Sequence, residues 1–148
     1  MAPHPNEQLL RELYIQFSKG NLDGVLALCT PDMRFHVGGH NALTGDYDRA
    51  GLARFLGKLG QLAGPSLRIV LDDILANDER GVVLLHDTFT RQDTGKPYEV
   101  RLLHHYRIRD GKLASFEEVP FDADAFDEAW GDRCAPAAAG PEPVYSIH

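Results

Sequence analysis

Apolar residues first recur at helical spacing and then switch to alternation, and the switch divides the chain into a helical part and a stranded part. Leu9, Leu10, Leu13, Tyr14 and Phe17 fall on one helical stripe, with Gly20 as a stop. Asn21 can cap a second helix whose apolar face is Leu22, Val25, Leu26 and Cys29, ended by Thr30-Pro31-Asp32. Asp32 to Val37 reads as a short strand with Met33, Phe35 and Val37 on one face, and Gly38-Gly39 breaks it. A third helix, capped by Asp46 or Asp48, carries Leu52, Phe55, Leu56 and Leu59 opposite Arg49, Arg54 and Lys58.

Four strands follow. Leu67, Ile69 and Leu71 alternate with polar residues, and Asn77 to Gly81 is a turn. Val82 to Arg91 and Tyr98 to Arg109 form the next two strands, separated by a turn around Gly95. Asp110-Gly111 is a strong two-residue hairpin signal, and Leu113 to Val119 is the last strand, stopped by Pro120. A short helix covers Asp122 to Trp130. Helices followed by hairpin-linked strands predict an α+β fold: a curved antiparallel sheet with three to four helices on its concave face. Helices cannot fill such a concavity, so a pocket is expected. The domain is placed at residues 1–130 and an Ala/Pro-rich tail at 131–148, in which Val144, Tyr145 and Ile147 are candidates for docking.

Composition narrows the partners. A formal charge of −7 disfavours nucleic acid. The most basic stretch, Arg101 to Arg109, alternates with apolar residues, as a solvated or subunit-facing strand face does. No apolar run approaches the ~20 residues of a membrane span. The N-terminus lacks a basic region and an apolar segment, so cytoplasm is the expected location. Cys29 and Cys134 have neither metal nor redox spacing. His36 and His40 flank Gly38-Gly39, which opposes a helical metal pair, and no metal is expected.

The hairpin allows register arithmetic. If Asp110-Gly111 is the whole loop, Ile108 faces Leu113, Tyr106 faces Ser115 and His104 faces Glu117. The side bearing Tyr98, Val100, Leu102, Tyr106 and Ile108 is the more apolar, hence concave, and places His104 beside Glu117 in an apolar pocket. A bulged three-residue loop shifts the pairing by one and brings in Glu118 instead. An imidazole beside a carboxylate can take or return a proton, or can simply be a hydrogen-bonded pair. On the second strand either Asp87 or His86 turns inward, and the pattern leans to Asp87. Tyr14, on the buried face of the first helix, can donate to a substrate oxygen. Phe35, Phe55, Tyr106 and Trp130 are expected to shape the cavity walls.

The order of these motifs resembles the SnoaL-like polyketide cyclase family, within the nuclear transport factor 2-like superfamily that includes ketosteroid isomerases. The resemblance rests on Leu13-Tyr14, Gly20-Asn21-Leu22-Asp23-Gly24, Pro31-Asp32-Met33-Arg34-Phe35-His36-Val37, Leu43-Thr44-Gly45, and His104 to Arg109 followed by Asp110-Gly111-Lys112-Leu113. It spans about residues 7 to 130. It implies a cone-shaped sheet closed by helices, catalysis without metal or organic cofactor by Asp, His or Tyr in the cone, and a homodimer. The carboxylate base that isomerases carry near the end of the first strand is replaced here by Phe35, His36 and Val37.

The functional expectation is a small-molecule pocket protein. It would be a cofactor-free cyclase, isomerase or dehydratase acting on a hydrophobic, polyketide-like carbonyl compound. His104 would be the acid or base, Glu117 (or Glu118) its orienting carboxylate, and Tyr14 or Asp87 the donor to the oxygen. The alternative is a binding protein of the same shape.

Overall fold

The computed structural model describes residues 2–131 and 146–147. Helix α1 is Pro5–Ser18 and α2 is Leu22–Ala27. Strands β1 (Cys29–Val37) and β2 (Gly45–Asp48) form a hairpin. Helix α3 (Leu52–Ala63) leads through a short 3-10 turn, Gly64–Ser66, to β3 (Arg68–Ala76). Then come β4 (Arg80–Thr90), β5 (Pro97–Arg109), β6 (Lys112–Pro120), α4 (Ala123–Trp130) and β7 (Ser146–Ile147). These make one curved sheet in the order β2-β1-β6-β5-β4-β3-β7. It is antiparallel except where β1 meets β6 and β3 meets β7. Val144 and Tyr145, candidates for docking, lie outside the described residues.

Most elements follow local signals. Asn21 caps α2 by accepting from the Gly24 amide, and Asp122 caps α4 by accepting from Ala125. Asp110 (φ 52°) and Gly111 (φ 72°) supply the two left-handed residues of a tight hairpin turn. Two expectations need correction. Cys29 opens β1 instead of closing the second helix, because pairing with Leu113 captures it. Asp46 and Asp48 do not cap α3. They lie on β2, and Gly51 occupies the cap position.

One face of the sheet carries the buried residues, and the helices lie against it. The β4 pattern is strict, with Val83, Leu85, Asp87 and Phe89 inside. Tyr14 of α1 reaches β5, Phe55 of α3 meets Phe35 of β1, and Trp130 of α4 stacks on Phe89 of β4. Gly81 allows α1 to approach this closely. A Cβ there would stand 2.5 Å from Cδ1 of the fully buried Leu10.

Candidate functional site

The helices leave a cavity of about 100 Å³ at the centre of the concave face. Its walls are apolar and aromatic. Phe35 packs against Phe55 at 5.2 Å and against Phe116 at 5.8 Å between ring centroids, and Phe116 meets His104 edge-on at 4.7 Å. Into this lining project Tyr14, Asp87, His104, Tyr106 and Glu118.

Four of these side chains form a single hydrogen-bonded chain. Glu118 Oε1 lies 3.1 Å from His104 Nε2, His104 Nδ1 lies 2.6 Å from the Tyr14 hydroxyl, and that hydroxyl lies 2.8 Å from the Tyr106 hydroxyl. With His104 neutral and Glu118 a carboxylate, one arrangement of protons satisfies every link, because a carboxylate can only accept. His104 then donates from Nε2 to Glu118, Tyr14 donates to Nδ1, and Tyr106 donates to the Tyr14 oxygen. Burial pushes both tyrosine hydroxyls well above their usual pKa, so they act as neutral donors.

Asp87 stands apart from that chain. It is 6% exposed, and its Oδ1 has no hydrogen-bond partner. Burial, and secondarily the charge of Glu118, raise its pKa well above the ordinary carboxylate range. Glu118 Oε2 is also buried and without a partner. Two carboxyl groups therefore present unbonded oxygens in one apolar enclosure, where the interaction between them favours keeping a proton on one.

Glu117 is not in the cavity. The hairpin loop is two residues, as the turn signal requires, and Arg109 pairs with Lys112 and Ile108 with Leu113. The register then slips by one at Ala114, so that Arg107 pairs with Ser115, Tyr106 with Phe116, His105 with Glu117 and His104 with Glu118. This bulge reverses the face of every later residue on β6. Glu117 faces outward and bonds His105 Nδ1 at 3.3 Å. Glu118 reaches the cavity without the three-residue loop, because the extra residue sits inside the strand.

His86 is likewise outside, its Nδ1 2.9 Å from Asp72. Asp87 and His86 are neighbours on a regular strand, so turning one inward turns the other out. Phe35, Phe55, Tyr106 and Trp130 all line the cavity, as do Met33, Cys29 and Phe116, which the sequence did not single out. The inward turn of Phe116 depends on the same bulge. Tyr47, on the unanticipated β2, stacks on Phe35 at 4.7 Å and supports that wall. Among the described residues no three His, Cys, Asp or Glu side chains gather into a metal-binding group, and His36 bonds Asp46. No described helix is long and apolar enough to cross a membrane.

The family model for the SnoaL-like domain matches residues 10–116. No curated protein matches the sequence. Among solved structures, an NTF2-like protein of unknown function from Burkholderia pseudomallei is 25% identical, with a TM-score of 0.77 over 88% of this chain and 100% of that one. An NTF2-like protein from Burkholderia xenovorans is 23% identical, with a TM-score of 0.75 over 88% and 99%. IdmH, a candidate polyketide cyclase from Streptomyces antibioticus, is 22% identical, with a TM-score of 0.66 over 80% and 93%.

Proposed function

The chain belongs to the SnoaL-like domain family, and within that family we propose that it is a cofactor-free enzyme moving protons on a small hydrophobic carbonyl compound, as a cyclase, isomerase or dehydratase does. The observation that carries this reading is the pair Asp87 and Glu118, each with an unbonded buried oxygen in a cavity otherwise apolar. The likeness of the fold to IdmH is consistent with it.

The geometry supports the following roles. Glu118 is the base: Oε1 is held by His104, and Oε2 is free to take a proton from a carbon next to the carbonyl. The electron pair left on carbon delocalises onto the carbonyl oxygen. Asp87, whose proton is held by burial and by the nearby charge of Glu118, donates a hydrogen bond to that oxygen as its charge grows. His104 has both ring nitrogens engaged, so it positions Glu118 instead of touching substrate. Tyr14 and Tyr106 hold its tautomer. The returning proton, delivered at a different atom, completes an isomerisation or follows a ring closure.

The assay does not need the natural substrate. Exchange of the methyl protons of acetophenone in D2O, followed by NMR, reads abstraction directly. The protein should accelerate exchange, and Glu118→Gln should lower the rate by ~10²–10⁴, the usual worth of a positioned base. Acceleration that survives in Glu118→Gln removes Glu118 as the base. Binding of acetophenone without acceleration favours a non-catalytic carrier.

A homodimer joined through the convex face is part of the same reading. Val119 and Phe121 are 45% and 59% exposed there, beside Arg101 and the His105–Glu117 pair.

A further inference from the structure

Three buried side-chain polar atoms lack a hydrogen-bond partner among the described residues: Asp87 Oδ1, Glu118 Oε2 and Trp130 Nε1. All three residues line the same cavity. The proposed proton transfer uses the two carboxyls and leaves the indole N–H without a task. A buried donor without an acceptor costs about 1–3 kcal/mol, and a buried indole ordinarily finds a partner.

Trp130 cannot swing away to find one. It is 1% exposed, its ring stacks on Phe89 at 4.1 Å and 17°, and its carbonyl accepts from the Ala42 amide at 3.3 Å. Phe89 lies two residues beyond Asp87 on the same face of β4, which is roughly 7 Å along the strand. In the opposite direction, Val83 of β4 pairs with His104, four residues or roughly 13 Å from Asp87. The polar groups are therefore spread along the cavity, with the His104–Tyr14–Tyr106 chain towards one end, Asp87 between, and the indole N–H towards α4.

We propose that Trp130 is a specificity-determining residue whose indole N–H donates to a second oxygen of the ligand, several ångströms from the carbonyl that Asp87 engages. The ligand class is then an uncharged hydrophobic compound with two separated oxygen acceptors, such as a diketone. The proposal rests on the reading of this cavity as the ligand site, but not on any turnover there.

The probes are 1,4-diacetylbenzene and 4-isopropenylacetophenone, which share a shape and differ by one carbonyl oxygen replaced by CH2. The chain has one tryptophan, so a single indole N–H resonance reports the contact without mutation. It should move downfield with the diketone and not with the isopropenyl compound. By calorimetry the wild type should favour the diketone over its partner by ~3–10-fold more than Trp130→Phe does, the worth of one hydrogen bond to an otherwise unpaired donor. Comparing the two ratios cancels the difference in hydration of the probes. Equal movement of the indole resonance with both probes, or equal ratios in the two proteins, overturns the role of Trp130 while leaving the pocket standing. Failure of both probes to bind overturns the pocket reading as well. Absence of proton exchange with the preference intact overturns only the proposed catalysis.

Discussion

Tyr14 of α1 and His104 of β5 are joined by a 2.6 Å hydrogen bond across 90 residues of chain, and the contact decides which ring nitrogen of His104 faces Glu118. With Tyr14 donating to Nδ1, the ring proton sits on Nε2 and points at the carboxylate. The helix thus sets the proton arrangement of a strand residue that it approaches only because Gly81 lets it lie close.

Tyr14→Phe should expose that dependence. The change leaves His104 Nδ1 and the Tyr106 hydroxyl short of a partner in a buried site, which costs ~1–3 kcal/mol of stability. A merely structural tyrosine would do no more. A positioning tyrosine should also alter the ring tautomer. The ¹⁵N shifts of the His104 ring should show one protonated nitrogen, Nε2, in the wild type and a tautomer mixture in the variant, with proton exchange on acetophenone slowed ~10-fold or more. An unchanged ¹⁵N pattern removes Tyr14 from the positioning role.

Adjacent glutamates on β6 give an internal control. Glu117 is an exposed rim charge bonded to His105, and its side chain retains 57% of its accessibility. Such pairs contribute ~0–1 kcal/mol. Glu117→Gln should leave both the thermal midpoint and the exchange rate close to wild type, while Glu118→Gln loses the rate. If the Glu117 variant is the slow one, β6 runs without the bulge at Ala114 and Glu117 is the residue that faces His104.

That bulge marks where sequence reading stops. The helices, the long strands, the Asp110-Gly111 turn and the inward face of β5 were legible because each is written in local periodicity or turn chemistry. The pairing of Ile108 with Leu113 was legible for the same reason. The slip beyond it is not written at Ala114, an ordinary residue for a strand. It is settled by what the rest of β6 meets, since it lets Phe116 join the aromatic wall of Phe35 and Tyr106 and brings Glu118 to His104. The strand β2 was missed because Gly45–Asp48 is four residues with one large apolar side chain, too short to show alternation. The regular β4 posed no such difficulty, and the lean to Asp87 over His86 followed from Val83, Leu85 and Phe89 alone.

The convex face makes its own prediction. Leu75, Val119 and Phe121 are 56%, 45% and 59% exposed, and the pairings of Leu75 with Val82 and Val119 with Leu103 put two of them on the outer side of the sheet. Arg101 lies over the Phe121 ring at 5.2 Å, so the third belongs there too. Apolar residues set among arginines suit a subunit contact. Light scattering at micromolar concentration should give a dimer mass, and Val119→Asp together with Phe121→Asp should give a folded monomer. A wild-type monomer ends the proposal.

Asp87 should trade stability for activity in a pH-dependent way. Its folded-state pKa is raised by burial, with a smaller push from Glu118. Below the unfolded value near 3.9 both states hold the proton, and this residue adds no pH dependence. Above that value the unfolded chain releases the proton before the folded chain does. The folded state then binds more protons, so stability falls as pH rises through the window up to the raised value. Asp93 and Asp127 work in the opposite sense, since hydrogen bonds from Arg91 and from Asn41 lower theirs. Those groups are common to wild type and variant and cancel in a difference. Asp87→Asn should therefore become progressively more stable than wild type as pH rises above ~4, read as the gap between thermal midpoints. Asparagine keeps a donor but not an acidic one, so proton exchange on acetophenone should fall by ~10² in the same protein. A stabilised, slowed variant is the signature of a carboxyl buried for function. A gap that stays constant with pH would mean that Asp87 is solvated and ionised, and its role as the neutral donor to the substrate oxygen would be lost with it.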